Sequence, residues 1–66
     1  MKTVYDVRTI LKRFGIFIYT GNRIADLELM QTEIRDLYNA HIIDIKMYQQ
    51  AILVLKSEIS EENNKV

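Results

Sequence analysis

The chain has no cysteine, no proline and no tryptophan, and only two glycines among its 66 residues. Without cysteine there can be no disulfide scaffold and no thiolate zinc site. Scarce proline and glycine exclude collagen-like and low-complexity chains and favour long uninterrupted helices. An apolar content of 48% is too high for a disordered segment. Long hydrophobic runs are also missing. The longest is Ala51 to Leu55, far short of the ~20 residues of a membrane-spanning helix. Near the amino terminus, Asp6, Arg8, Lys12 and Arg13 interrupt any apolar region that could act as a secretory signal. The expectation is a soluble, cytoplasmic globular domain with no membrane association.

A domain of this size buries only about 60% of the surface its unfolded chain exposes. A core of this size rarely supplies more than about 3–5 kcal/mol net. Stability must therefore come from efficient helix packing or from self-association.

Three amphipathic segments follow from the apolar spacing. In the first, Val4, Val7, Ile10, Leu11 and Phe14 share one face. Thr3 and Asp6 have capping-box spacing, and Gly15 stands where a left-handed helix end is wanted. This predicts a helix over residues 4–14. After Thr20-Gly21-Asn22, which reads as a turn and N-cap, Ile24, Leu27, Met30, Ile34, Leu37 and Tyr38 fall on one face, predicting a helix from Arg23 to Ala40. Asp26 and Glu28 sit in its early turns, where the helix dipole favours acids. A third helix is predicted from Ile45 to Glu61, with Asp44 as N-cap, Ile43 and Tyr48 as a hydrophobic staple, and Ile45, Tyr48, Ile52, Leu55 and Ile59 as its stripe.

The short connection between the second and third helices requires an antiparallel hairpin. The connection from Gly15 to Asn22 contains Ile16, Phe17, Ile18 and Tyr19, which could read as a strand, but no partner strand exists in the chain. A tight loop that drops Phe17 or Ile18 into the core is expected instead. The fold class is thus all-α: a three-helix bundle over 1–61, with helices 2 and 3 as a long antiparallel hairpin and a frayed polar tail at 62–66.

Nine basic residues balance nine acidic ones, but not evenly along the chain. Residues 1–23 hold Lys2, Arg8, Lys12, Arg13 and Arg23 against Asp6 alone, a net +4. Residues 24–44 hold Arg35 against Asp26, Glu28, Glu33, Asp36 and Asp44, a net −4. The remainder is neutral. The basic third also carries four of the six aromatics: Tyr5, Phe14, Phe17 and Tyr19.

Tyr5, Arg8 and Lys12 lie on one flank of the first helix, Arg13 points elsewhere, and Arg23 opens the second helix. An aromatic beside cations can stack a base while the cations hold phosphates, as in single-strand binding. The expected footprint is Tyr5, Arg8, Lys12, Arg13, Tyr19 and Arg23. Against it stands the plainer reading that Phe14 and Phe17 are core and that Arg8 and Lys12 are a solvated face.

Other chemistry is poorly supported. His41 is the sole histidine and has no convergent ligands, so no metal site is expected. A loop or capping role suits it better. The serines, Ser57 and Ser60, lie near the fraying end, and there is no glycine-rich phosphate loop. No catalytic residue and no cofactor is expected. A competing, non-nucleic-acid reading is a protein–protein module or homodimer using Leu29, Met47, Leu53 and Val54. A DNA-reading helix-turn-helix is disfavoured, because both paired helices carry acids and few exposed bases.

The run Tyr5-Asp6-Val7, the stretch Phe14-Gly15-Ile16-Phe17-Ile18-Tyr19-Thr20-Gly21-Asn22-Arg23, and Asp26-Leu27-Glu28-Leu29-Met30 resemble the YqgQ-like family of short bacterial proteins. Leu37-Tyr38 and Tyr48-Gln49-Gln50-Ala51 are similar as well. The resemblance covers roughly residues 4–56, with Phe14 to Met30 as its specific part. It implies a three-helix protein of the Gram-positive cytosol that binds single-stranded DNA or RNA. It carries over no set of binding residues.

Overall fold

A computed structural model describes residues 2–64. Three helices make up the described chain: α1 (Val4–Arg13), α2 (Arg23–Asn39) and α3 (Ile45–Asn63). The all-α bundle expected from the periodicity is the fold observed, and no strand occurs among the described residues.

Each helix starts at a side-chain cap. The Thr3 hydroxyl accepts from the Asp6 N–H, and the Asp6 carboxylate accepts from the N–H of Thr3 and of Lys2, a complete capping box. These backbone bonds hold the Asp6 carboxyl below the usual carboxylate range. Asn22 caps α2 through the Ala25 N–H, and Asp44 caps α3 through the Met47 N–H.

The ends of α1 and α2 are both Schellman motifs. At α1, Gly15 (φ 76°) donates to Lys12 O and Ile16 donates to Leu11 O. At α2, His41 donates to Tyr38 O and Ile42 donates to Leu37 O, with His41 itself at φ 61°. The lone histidine is therefore a helix-end residue.

The core is built from Val4, Val7 and Leu11 of α1, Leu27, Met30, Ile34 and Leu37 of α2, Ile43 of the turn, and Ala51 and Leu55 of α3. Helices α2 and α3 form the tightest pair. Their antiparallel sense is visible at both ends. Arg23, at the start of α2, reaches Glu58 and Glu62 near the end of α3. At the turn, the rings of Tyr38 and Tyr48 stack with centroids 4.5 Å apart. Helix α1 packs across this hairpin.

Several expectations need correction. Phe14 is 45% exposed rather than core. It is the C-cap of α1 (φ −100°, ψ 13°), so the chain has already left the helical phase there. The Schellman closure instead brings Ile16 onto the core. From Ile16 the chain alternates. Ile16 and Ile18 pack inward, while Phe17 is 74% and Tyr19 86% exposed. Of the two alternatives for the loop residue that enters the core, Ile18 is the one that does, and Phe17 stays outside. Ile45 is also exposed, because the stripe of α3 is centred on Ala51 and Leu55. Helix α3 continues to Asn63 rather than Glu61. Of the tail expected at 62–66, Lys65 and Val66 lie outside the described residues.

Candidate nucleic-acid interface

The loop between α1 and α2 is braced from both helices. Arg8 projects from α1 and its Nη1 donates to the Ile18 carbonyl at 2.7 Å. Its Nη2 stands 3.8 Å from the Asp26 carboxylate. Asp26 occupies the first turn of α2 and is the one buried charged residue among those described. Its Oδ1 accepts from the Thr20 hydroxyl at 2.6 Å and from the Thr20 N–H at 2.7 Å.

These two Thr20 bonds, with smaller contributions from the Arg8 and Arg23 charges, hold the Asp26 carboxyl below the usual carboxylate range against the opposing effect of burial. The Thr20 hydroxyl also accepts from the Asn22 N–H, so the turn at Gly21 (φ 87°) is tied to the same carboxylate. A buried acid that accepts two hydrogen bonds and faces a guanidinium is a satisfied group. Here it anchors the loop.

The braced loop carries Phe17 and Tyr19 outward. With Arg8, Leu11, Lys12, Ile16, Ile18 and Met30 they line a cleft of about 220 Å³. No acidic side chain contributes to that lining. Lys12 is exposed and makes no ion pair among the described residues. The cleft thus combines two open aromatic rings, one uncommitted ammonium and a guanidinium already bound to the loop.

The six residues expected from the sequence do not all meet. Arg8, Lys12 and Tyr19 line this cleft. Tyr5, 74% exposed, lies one helical turn before Arg8 on α1. Arg13 lies around the helix and lines a separate depression of about 640 Å³ between the end of α1 and the α2–α3 turn, with Phe14, Ile42, Asp44 and Ile45. Arg23 is engaged elsewhere, 3.3 Å from Glu58 and 3.9 Å from Glu62.

Phe17, which the sequence assigns to the core, lines the cleft instead. Its signal was the alternation set by Gly15. Asp26 was also missed as an anchor, although its spacing of four from Met30 and eight from Ile34 puts an acid on the apolar stripe of α2.

No group of three or more His, Asp or Glu among the described residues is placed to hold a metal ion. Among the described residues, no helix is long and apolar enough to cross a membrane.

The YqgQ-like family model matches residues 1–61. The chain is 38% identical over 64 residues to the Bacillus subtilis (strain 168) protein named "Uncharacterized protein YqgQ", a match covering 97% of this chain and 90% of that one. The family resemblance carried by Phe14 to Met30 therefore extends over nearly the whole bundle, and the chain belongs to the YqgQ-like family.

Proposed function

We propose that the protein is a non-enzymatic binder of single-stranded nucleic acid in the bacterial cytoplasm, acting without sequence preference through the α1–α2 loop. The carrying observation is the pair Phe17 and Tyr19, 74% and 86% exposed on a braced segment beside the uncommitted Lys12. Aromatic rings this exposed bury little apolar area and contribute little to stability. Placed beside a cation, they suit stacked bases on a phosphate backbone. Each stacked base is worth about 1–3 kcal/mol by alanine substitution, and every base offers a π-face, which makes such binding tolerant of sequence.

The roles of the basic residues follow from their partners. Lys12 holds phosphate directly. Arg13 and Tyr5 extend the track along α1. Arg8 positions the loop, and Arg23 ties α2 to α3. With one or two phosphate contacts, the log–log dependence of affinity on salt has a slope of about −0.7 to −1.4.

Titration of a fluorescent oligonucleotide at several salt concentrations tests this reading. Binding at low salt with that shallow slope is expected, and Lys12→Glu combined with Tyr19→Ala abolishes it. No binding at low salt, or binding indifferent to that pair of changes, overturns it. The competing reading, a protein–protein module, is favoured by Leu29 and Leu53, which are 44% and 69% exposed on α2 and α3. Its mark is capture of a protein partner that is lost on Leu53→Glu.

A further inference from the structure

The segment from Ile16 to Thr20 has one hydrogen-bonding edge tied to the bundle by three bonds and the other bare. Ile16 donates to Leu11 O at 3.0 Å, the Ile18 carbonyl accepts from Arg8 at 2.7 Å, and Thr20 donates to Asp26 at 2.7 Å. All three are even-numbered residues. In an extended chain successive residues turn their N–H and C=O groups to opposite edges. The inner edge thus belongs to 16, 18 and 20, and the outer edge to Phe17 and Tyr19. Among the described residues, no hydrogen bond reaches the backbone N–H or C=O of either.

The same five residues, Ile-Phe-Ile-Tyr-Thr, are β-branched or aromatic throughout, with no charge, glycine or proline. Lysine, proline or a bulge, which blunt exposed strand edges, are absent from them. The composition is that of a strand, and the bundle provides no partner strand for it.

We propose that this bare edge pairs with the same edge of a second copy of the chain, antiparallel about a two-fold axis at Ile18. In that register Phe17 of one copy faces Tyr19 of the other, each pair exchanges two backbone hydrogen bonds, and all four bare N–H groups and all four bare carbonyls are used. Neighbouring registers fit worse. Centring on Phe17 sets Tyr19 against Gly15, whose N–H already binds Lys12 O. Centring on Tyr19 sets Phe17 against Gly21, which has turned out of the strand at φ 87°.

The pairing also places aromatic rings directly opposite one another, a favourable cross-strand arrangement. Four rings of roughly 150–250 Å² each bury less than the ~1,200 Å² of a stable interface. The dimer is therefore weak and reversible. It joins two aromatic pairs into one row flanked by a Lys12 at each side, and it stands whether or not nucleic acid binds there.

Sedimentation of the full chain from ~10 μM to ~1 mM, a range that reads weak association constants directly, should show a concentration-dependent shift from monomer to dimer. Tyr19→Pro removes an outer-edge N–H and leaves the inner-edge bonds intact. It should remain monomeric throughout, with its helical circular dichroism unchanged. Register is read separately by disulfide trapping, since the chain has no cysteine of its own. A hydrogen-bonded antiparallel pair has Cα atoms about 5.5 Å apart, within disulfide reach. Mixing Phe17→Cys with Tyr19→Cys under mild oxidation should therefore give the mixed disulfide in preference to either symmetric one. A chain monomeric at every concentration, a dimer that survives Tyr19→Pro, or symmetric disulfides formed as readily as the mixed one overturns the proposal.

Discussion

His41 holds the only positive φ of a non-glycine residue among those described. Its imidazole is not what the position needs. The Schellman closure of α2 needs a residue that turns left-handed so that His41 and Ile42 can donate to Tyr38 O and Leu37 O. A side chain in that region costs about 1–2 kcal/mol, and glycine returns part of that gain as unfolded-chain entropy. His41→Gly is therefore expected to stabilise the protein by about 0.5–1 kcal/mol, read as a higher urea midpoint at an unchanged m-value. Gly15 in the equivalent position of α1 already has that advantage. From sequence the histidine has no convergent companions, which favours a loop or capping role. Its left-handed backbone could not be read, since only the exact end of α2 decides which residue takes the turn.

At the scale of elements, the helices were legible and the loop was not. Thr3, Asn22 and Asp44 are caps in the sequence and in the fold, because capping is settled within three residues of chain. The helical wheel fails just after Arg13, where helical phase ends, and so it misplaced Phe14; Phe17 lies in the loop beyond, where no helical phase applies. The Arg8 brace was out of reach for a different reason. It links α1 to Ile18 and to Asp26, and that contact exists only once the loop's path is known.

The brace separates two roles for Arg8 that composition cannot distinguish. A phosphate contact would survive Arg8→Lys, which keeps the charge. A positioning residue would not, because lysine lacks the planar fork that reaches a carbonyl and a carboxylate together. The expected outcome is faster hydrogen exchange at the Thr20 amide and several-fold weaker oligonucleotide binding, while helix content and the salt slope hold. Unaltered Thr20 exchange in that variant would assign Arg8 to phosphate instead.

For the molecule as a whole, size governs the response to mutation. The folded surface is 4615 Å², against roughly 11,000 Å² for an unfolded chain of this mass. The core that achieves this is ten buried residues, nine on the three helices and Ile43 in the turn. Leu55 is wholly buried at the centre of α3. Truncating a buried leucine costs about 2–5 kcal/mol, comparable to the whole ~3–5 kcal/mol such a core supplies. Leu55→Ala is expected to leave the chain largely unfolded at 25 °C, seen as lost helical circular dichroism, whereas the exposed Leu53→Ala leaves it folded. The charge asymmetry also reads differently at this scale. Asp26, one of the five acids behind the −4 of the second segment, is buried against Arg8, so it anchors the basic face rather than opposing it.

The stacking of Tyr38 on Tyr48 gives the molecule two separate optical signals. The chain has no tryptophan to mask its four tyrosines. Two of them are locked ring on ring at the hairpin turn, and the other two, Tyr5 and Tyr19, stand in solvent on the basic side. The near-ultraviolet signal of the stacked pair follows whether the hairpin is closed, while quenching of the open pair follows what arrives at the loop. Folding and ligand occupancy can thus be watched independently in the unlabelled protein.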